Sequence, residues 1–189
     1  GGNGFNALGT TGNFVIVSSD WNGTRGAATF FNGSLGRVGN IDSSNSLVGS
    51  AVGDAVGGGS NFTVLSNNNY LVTTKDWNGG RGAITWGSAT TGMSGPIDVT
   101  NSLVGVNNQA RVGDFGITRL NNGNAVVTTS NFDNGSISKV GAITWINGAN
   151  GTLADGTSGG VVSVSNSLVG SSQNDRIGTF TTVTGASTS

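Results

Sequence analysis

The chain has 189 residues, 35 of them glycine, with one proline, no cysteine, no histidine and a formal net charge of -1. Only 9% of its residues are charged, and its lysines and arginines are scattered, so the concentrated basic face that nucleic acid requires is missing. No run of about 18 apolar residues exists, so membrane insertion is not expected, and without thiols or imidazoles no metal site and no cofactor is expected either.

Every acidic residue is an aspartate, good helix formers are scarce, and glycine and β-branched residues abound. That composition disfavours helix almost everywhere and suits short strands joined by turns of Gly, Asn, Ser and Thr. The chain opens on Gly1-Gly2 without an initiator methionine, and it is read as a mature or excised piece of a larger precursor.

Taken in order, the elements repeat. NFVIVSSDWNGTRGAATFF begins at Asn13, NYLVTTKDWNGGRGAITW at Asn69 and NAVVTTSNFDNGSISKVGAITW at Asn124. Each is followed by NSLVG, at Asn45, Asn101 and Asn166. A period this long marks repeated supersecondary units. The units run over residues 1–56, 57–112 and 113–177, and residues 178–189 repeat the pattern of residues 1–12.

Each unit offers four strands, in the second NFTVL (61–65), NYLVTT (69–74), GAITW (82–86) and NSLV (101–104). Ser66-Asn67-Asn68 joins the first two as a tight hairpin turn, because asparagine tolerates left-handed backbone. Runs such as Phe14-Val15-Ile16-Val17 are apolar at successive positions, which predicts sheets covered on both faces. Extra residues of the third unit fall between Phe132 and Gly141 and between Gly141 and Asn166, where residues 148–160 read mostly as loop, and loops tolerate insertion. The expected fold is all-β: three four-stranded antiparallel repeat units, β-propeller-blade-like, plus one extra C-terminal strand.

Three blades do not close a propeller, and an open array exposes apolar faces and strand edges. The expected partners are therefore further copies of the chain or of a parent repeat array. Phe5 and Leu8 in the first strand, with Phe180 and Val183 in its C-terminal duplicate, are the candidate assembly positions, since two equivalent strands cannot fill one slot.

The most distinctive polar constellation is DWNGTRG at Asp20 with its twin DWNGGRG at Asp76. As a ligand platform, Trp21 or Trp77 stacks on a sugar, while Asp20 and Arg25, or Asp76 and Arg81, pair across the turn and hydrogen-bond its hydroxyls. As plain structure, the loop is an aspartate-stabilised turn whose tryptophan packs between units, which is the usual use of a repeating aromatic. Phe30, Trp86 and Trp145 recur within a strand and read as core or inter-unit packing. In NSLVG, Leu and Val fill the core while Asn and Ser satisfy the backbone where the strand begins.

The joined pattern of Gly53-Asp54-Ala55-Val56-Gly57, the Gly82–Trp86 strand and three NSLVG motifs resembles the FG-GAP-type repeats of integrin-like β-propellers. It resembles more closely the Asn/Gly-rich repeats of large secreted bacterial proteins of the filamentous-haemagglutinin-like adhesin kind. The calcium loop of FG-GAP repeats is missing, with DWNGGRG in its place, so calcium binding is not implied. The resemblance implies a surface or adhesive role and assigns no ligand to any residue.

The expected function is thus a structural or adhesive module, not an enzyme, extracellular or at the bacterial cell surface, self-associating by strand exchange or stacking into a filament or ring. One alternative is a lectin binding surface glycans, as three β units suit a three-fold prism and LSNNNYLV is loosely similar to bulb-lectin repeats. Another is a glycan hydrolase built on two of the scattered aspartates.

Overall fold

The computed structural model describes residues 4–58 and 62–179. The first unit contributes β1 (Gly4–Ala7), β2 (Phe14–Ser18), β3 (Ala27–Phe31) and β4 (Ser46–Val48). The second contributes β5 (Phe62–Val64), β6 (Tyr70–Thr74), β7 (Ala83–Gly87), β8 (Gly95–Pro96) and β9 (Ser102–Val104). The third contributes β10 (Gly116–Arg119), β11 (Ala125–Thr129), β12 (Ala142–Ile146), β13 (Gly160–Val161) and β14 (Ser167–Val169).

In each unit the four expected strands form one antiparallel sheet, ordered β1-β2-β3-β4, β5-β6-β7-β9 and β10-β11-β12-β14. The hairpin at Asn68 closes as its sequence predicts. Leu65 N–H donates to Asn69 O at 2.7 Å, and Asn68 takes φ 72°. The extra C-terminal strand, with Phe180 and Val183, lies outside the described residues.

The four-stranded unit stands as expected but is not self-contained, because a neighbouring unit adds a short fifth strand to two of the sheets. Short β8 of the second unit pairs parallel with β4 of the first, Leu47 opposite Gly95 and Val48 opposite Pro96. Short β13 of the third unit pairs the same way with β9 of the second, Leu103 opposite Gly160 and Val104 opposite Val161. Among the described residues the first two sheets therefore have five strands and the third has four. Two-residue strands carry too little pattern to stand out in a sequence, and parallel pairing across units cannot be read from local turn chemistry.

The sheets stack in chain order with a core in each gap. Leu8, Val15, Val17, Phe30 and Leu47 of the first sheet pack on Tyr70, Val72, Ala89, Ile97 and Val104 of the second unit. Leu71, Ile84 and Leu103, on the opposite face of the second sheet, pack on Ala125, Val127, Phe132 and Ile146 of the third unit. The middle sheet is covered on both sides, so all five residues of β6 are buried. The same stretch in the first sheet, β2, alternates between buried and half-buried because one face has no neighbour among the described residues. On that outer face Phe14 sits between Phe5 and Phe31, with ring centroids 4.8 and 4.9 Å apart.

Burial of a leucine side chain stabilises by about 1.5–3 kcal/mol, so position in the stack decides what each NSLVG motif contributes. Leu47 and Leu103 are 1% and 2% exposed, and Leu168 is 69% exposed. Leu103→Ala is expected to destabilise the monomer by about 2–5 kcal/mol, and Leu168→Ala by less than about 0.5 kcal/mol. Urea unfolding of the two variants, at concentrations where the chain is monomeric, checks this difference.

Candidate functional site

The DWNG loops are built alike. Asn22 and Gly23 (φ 50° and 67°), and Asn78 and Gly79 (φ 49° and 71°), make a left-handed turn. The residue types suit that backbone, since asparagine and glycine enter the left-handed region most readily. Gly26 N–H closes on Trp21 O at 3.0 Å, and Gly82 N–H on Trp77 O at 3.2 Å. The third copy lacks the arginine and carries an insertion, yet closes the same way, Gly141 N–H to Phe132 O at 3.2 Å.

The paired platform expected at these loops does not form. Asp20 and Arg25 are not bridged, and Arg25 donates to Ser50 O instead. Asp76 pairs with Arg111 at 3.0 Å, the sole ion pair among the described residues, so Arg81 is not its partner. Arg81 Nε and Trp77 Nε1 are buried with no hydrogen-bond partner among those residues. Gly49 follows β4 and packs on the Arg25 carbonyl, and the arginine side chain reaches the adjoining Ser50 rather than back across its own turn.

The two tryptophans also differ in setting. Trp77 is 6% exposed and belongs to the core between the first and second sheets. Trp21 is half-buried at the outer end of the first unit, in a shallow cleft of about 460 Å³ with Asn22, Arg25, Asp42 and Ser43. A second cleft, about 430 Å³ and polar, lies between Asn108, Arg111, Asn131, Asp133 and Lys139.

What the structure does bring together is a set of residues that join one unit to the next. Asn13 Oδ1 accepts from Gly33 N–H in its own unit, while its Nδ2 donates to Ala89 O of the next at 2.8 Å. Asn69 repeats this one layer on, taking Ala89 N–H and donating to Gly148 O at 2.8 Å. Trp86 Nε1 donates to the same Gly148 oxygen at 2.9 Å. Gly92 lies flat on Phe30 and Gly151 on Trp86, each so close that a Cβ would overlap the aromatic side chain.

The borrowed strand is anchored from within its own unit. Asn101 Nδ2 donates to Pro96 O at 2.8 Å and Asn166 Nδ2 to Val161 O at 2.9 Å. Their Oδ1 atoms accept from Asp98 N–H and from Ser163 N–H. Behind each asparagine a serine–threonine pair bridges two strands, Thr85 to Ser102 at 2.7 Å and Thr144 to Ser167 at 2.6 Å. The seated strand then receives the sheet's last carbonyl, Ile97 N–H to Val48 O and Val162 N–H to Val104 O, both at 3.0 Å.

All nine aspartates accept hydrogen bonds, and most hold a turn. Asp54, 2% exposed, takes Ala51 N–H in its own loop and Asn78 N–H of the next unit, at 2.8 and 2.9 Å. Asp114 takes Ser130 and Asn131, Asp133 takes Lys139 N–H and Asn107 Nδ2, and Asp175 takes Ser171 and Ser172 N–H. Asp20 takes the Ser19 hydroxyl at 3.5 Å. The hydroxyl and N–H of the residue two positions on, Ser44, Thr100 or Thr157, hold the Asp42, Asp98 and Asp155 carboxyls below the usual 3.8. Among the described residues no three such groups gather as a metal site would require.

Sequence reasoning missed Asp54, Asn13 and Asn69 as joint residues. A signal for the flat contacts is present, since a glycine follows the strand aromatic by six residues in all three copies, at Gly36, Gly92 and Gly151.

A stack of small antiparallel sheets, the first two completed by a short strand of the unit that follows, defines a β-repeat protein. The chain belongs to the family described as "Repeat of unknown function (DUF5650)", whose model matches residues 8–58, 64–114 and 119–179. No curated protein matches the chain.

Removing the Asp54 carboxylate leaves two N–H groups without their acceptor at a covered joint, a loss of about 1–3 kcal/mol when a donor is left unsatisfied. Asp54→Ala is therefore expected to lower stability by that amount, and Asp133→Ala, at the next joint, by less because it is more exposed. Chemical denaturation of both variants checks the order.

Proposed function

We propose that this chain is a structural or adhesive module of an extracellular bacterial surface protein, similar in kind to the Asn/Gly-rich repeats of filamentous-haemagglutinin-like adhesins, and that it works by associating with further copies of its own repeat. The observation that carries this reading is the borrowed strand. The first and second sheets are each finished by two residues of the following unit, so association between units is the way this fold covers those edges. The aspartates support it as well, since each is occupied as an acceptor in a turn or joint. Sedimentation velocity across a wide concentration range tests the reading. Species heavier than the 18.7 kDa chain, growing with concentration, are expected. A single 18.7 kDa species throughout overturns it.

Glycan binding is the second reading, favoured by one observation: Trp21 is the DWNG tryptophan left accessible, in a cleft that also holds Arg25 and Asp42. An aromatic face beside polar groups is a common sugar platform. On this reading a glycan array shows signals that Trp21→Ala abolishes. Silence across the array discards it.

A further inference from the structure

The two ends of the stack carry the two halves of one joint. At the outer edge of the third sheet β14 has no fifth strand among the described residues, although β4 and β9 both have one. Its Leu168 is exposed, and Ile143, Trp145, Val164 and Leu168 line a hollow of about 410 Å³ on that face. At the other end, Gly39-Asn40-Ile41 of the first unit stands where Gly95-Pro96-Ile97 and Gly160-Val161-Val162 stand in the others, six residues ahead of NSLVG. It pairs with no strand among the described residues, yet it is already set. Asn45 Nδ2 holds Asn40 O at 2.8 Å, and Gly39 has φ 108° against 107° at Gly95.

The remaining parts match in the same way. Gly36, counterpart of Gly92 and Gly151, has none of the described residues over its Cα, whereas the other two lie on Phe30 and Trp86. Trp145 is the strand aromatic with no glycine upon it among the described residues. Asn124 holds Gly148 N–H through Oδ1 at 3.0 Å, and its Nδ2 has no acceptor among the described residues. Asn13 and Asn69 use that atom to grip the next unit.

Small differences between copies say which unit fits. The first unit presents Ser50 and Asp54 to the second, Ser50 Oγ donating to Ile97 O at 3.1 Å and Asp54 receiving Asn78 N–H. The second unit has Val106 and Ala110 at those positions and meets Asp133, not an asparagine, in the following loop. The third unit restores the first arrangement with Ser171 and Asp175. It thereby suits a neighbour whose loop is Trp-Asn-Gly, and Trp21-Asn22-Gly23 at the opposite end is that loop.

Resting on the self-association proposed above, we infer that a second copy of this chain docks head to tail, its Gly39–Ile41 segment forming the fifth, parallel strand on β14. Val169 then faces Asn40 of the second copy, as Val104 faces Val161, and Gly36 covers Trp145. Asp175 receives Asn22 N–H. Because the donor segment is held in its seated form beforehand, little ordering opposes docking. The contact joins unlike surfaces, so its repetition closes a ring or extends a fibre according to the rotation per copy.

The absence of cysteine makes a directional test clean. Paired Cα atoms on adjacent strands lie about 4.8 Å apart, within disulfide reach. A mixture of Val169→Cys and Asn40→Cys chains is expected to give a disulfide dimer on oxidation, each chain alone to stay uncrosslinked, and the doubly substituted chain to give a ladder of multimers. Dimers formed by Val169→Cys alone, or no cross-linking in a sample that self-associates, overturn the joint while leaving self-association standing. A wild-type chain monomeric at all concentrations sinks both. Leu168→Lys, at an exposed position of the free chain, is expected to abolish assembly with an unchanged unfolding midpoint. Assembly that persists overturns the inference.

Discussion

Everything in this fold follows from one constraint: a small, short-stranded sheet with apolar side chains on both faces has no interior of its own. Four strands of three to five residues enclose nothing, and the sheet becomes stable only when a neighbouring sheet lies against it at about 10 Å. The two cores are therefore shared between units, and neither belongs to a single copy of the repeat. That is the energetic logic of repeat proteins, in which nearest-neighbour interfaces supply the stability that single units lack.

The polar residues serve the same end. A fold with so many turns has many backbone groups to satisfy, and an unpaired one costs as much as a lost hydrogen bond. Asparagine answers this economically, because one side chain both accepts and donates. Asn69 takes an N–H from its own unit and gives one to the next. Asn101 takes Asp98 N–H and secures the short strand at Pro96. The abundance of Asn, Ser and Thr, which looks like low-complexity filler in the sequence, is the hydrogen-bonding hardware of the joints. The Thr–Ser pairs behind each NSLVG motif, buried in the first two units and part-buried in the third, complete it.

Much of this was legible beforehand. The repeat, the all-β class, the four main strands and the hairpin at Asn68 follow from periodicity and turn chemistry, which are local. The role of Trp86 as inter-unit packing was legible too, because an aromatic recurring inside a strand has few other uses. The partners in the DWNG loops were not. Asp76 and Arg81 look paired along the chain, but the left-handed turn at Asn78 separates them and a neighbouring loop brings Arg111 to Asp76. Nor did sequence mark Gly95–Pro96 as a strand, since its pairing partner lies in another unit and its two residues carry no alternation.

NSLVG separates the two levels of determination most clearly. The pentapeptide is identical at Asn45, Asn101 and Asn166, and in all three places it makes the same three-residue strand with the same asparagine and serine bonds. That much residue identity alone decided, because it depends on side chains a few positions apart. Whether its leucine is core or surface was decided by the tertiary structure. Leu47 and Leu103 have a sheet laid over them, and Leu168 has none among the described residues. Burial is a property of what comes to rest on a face, and no stretch of sequence carries its neighbour with it.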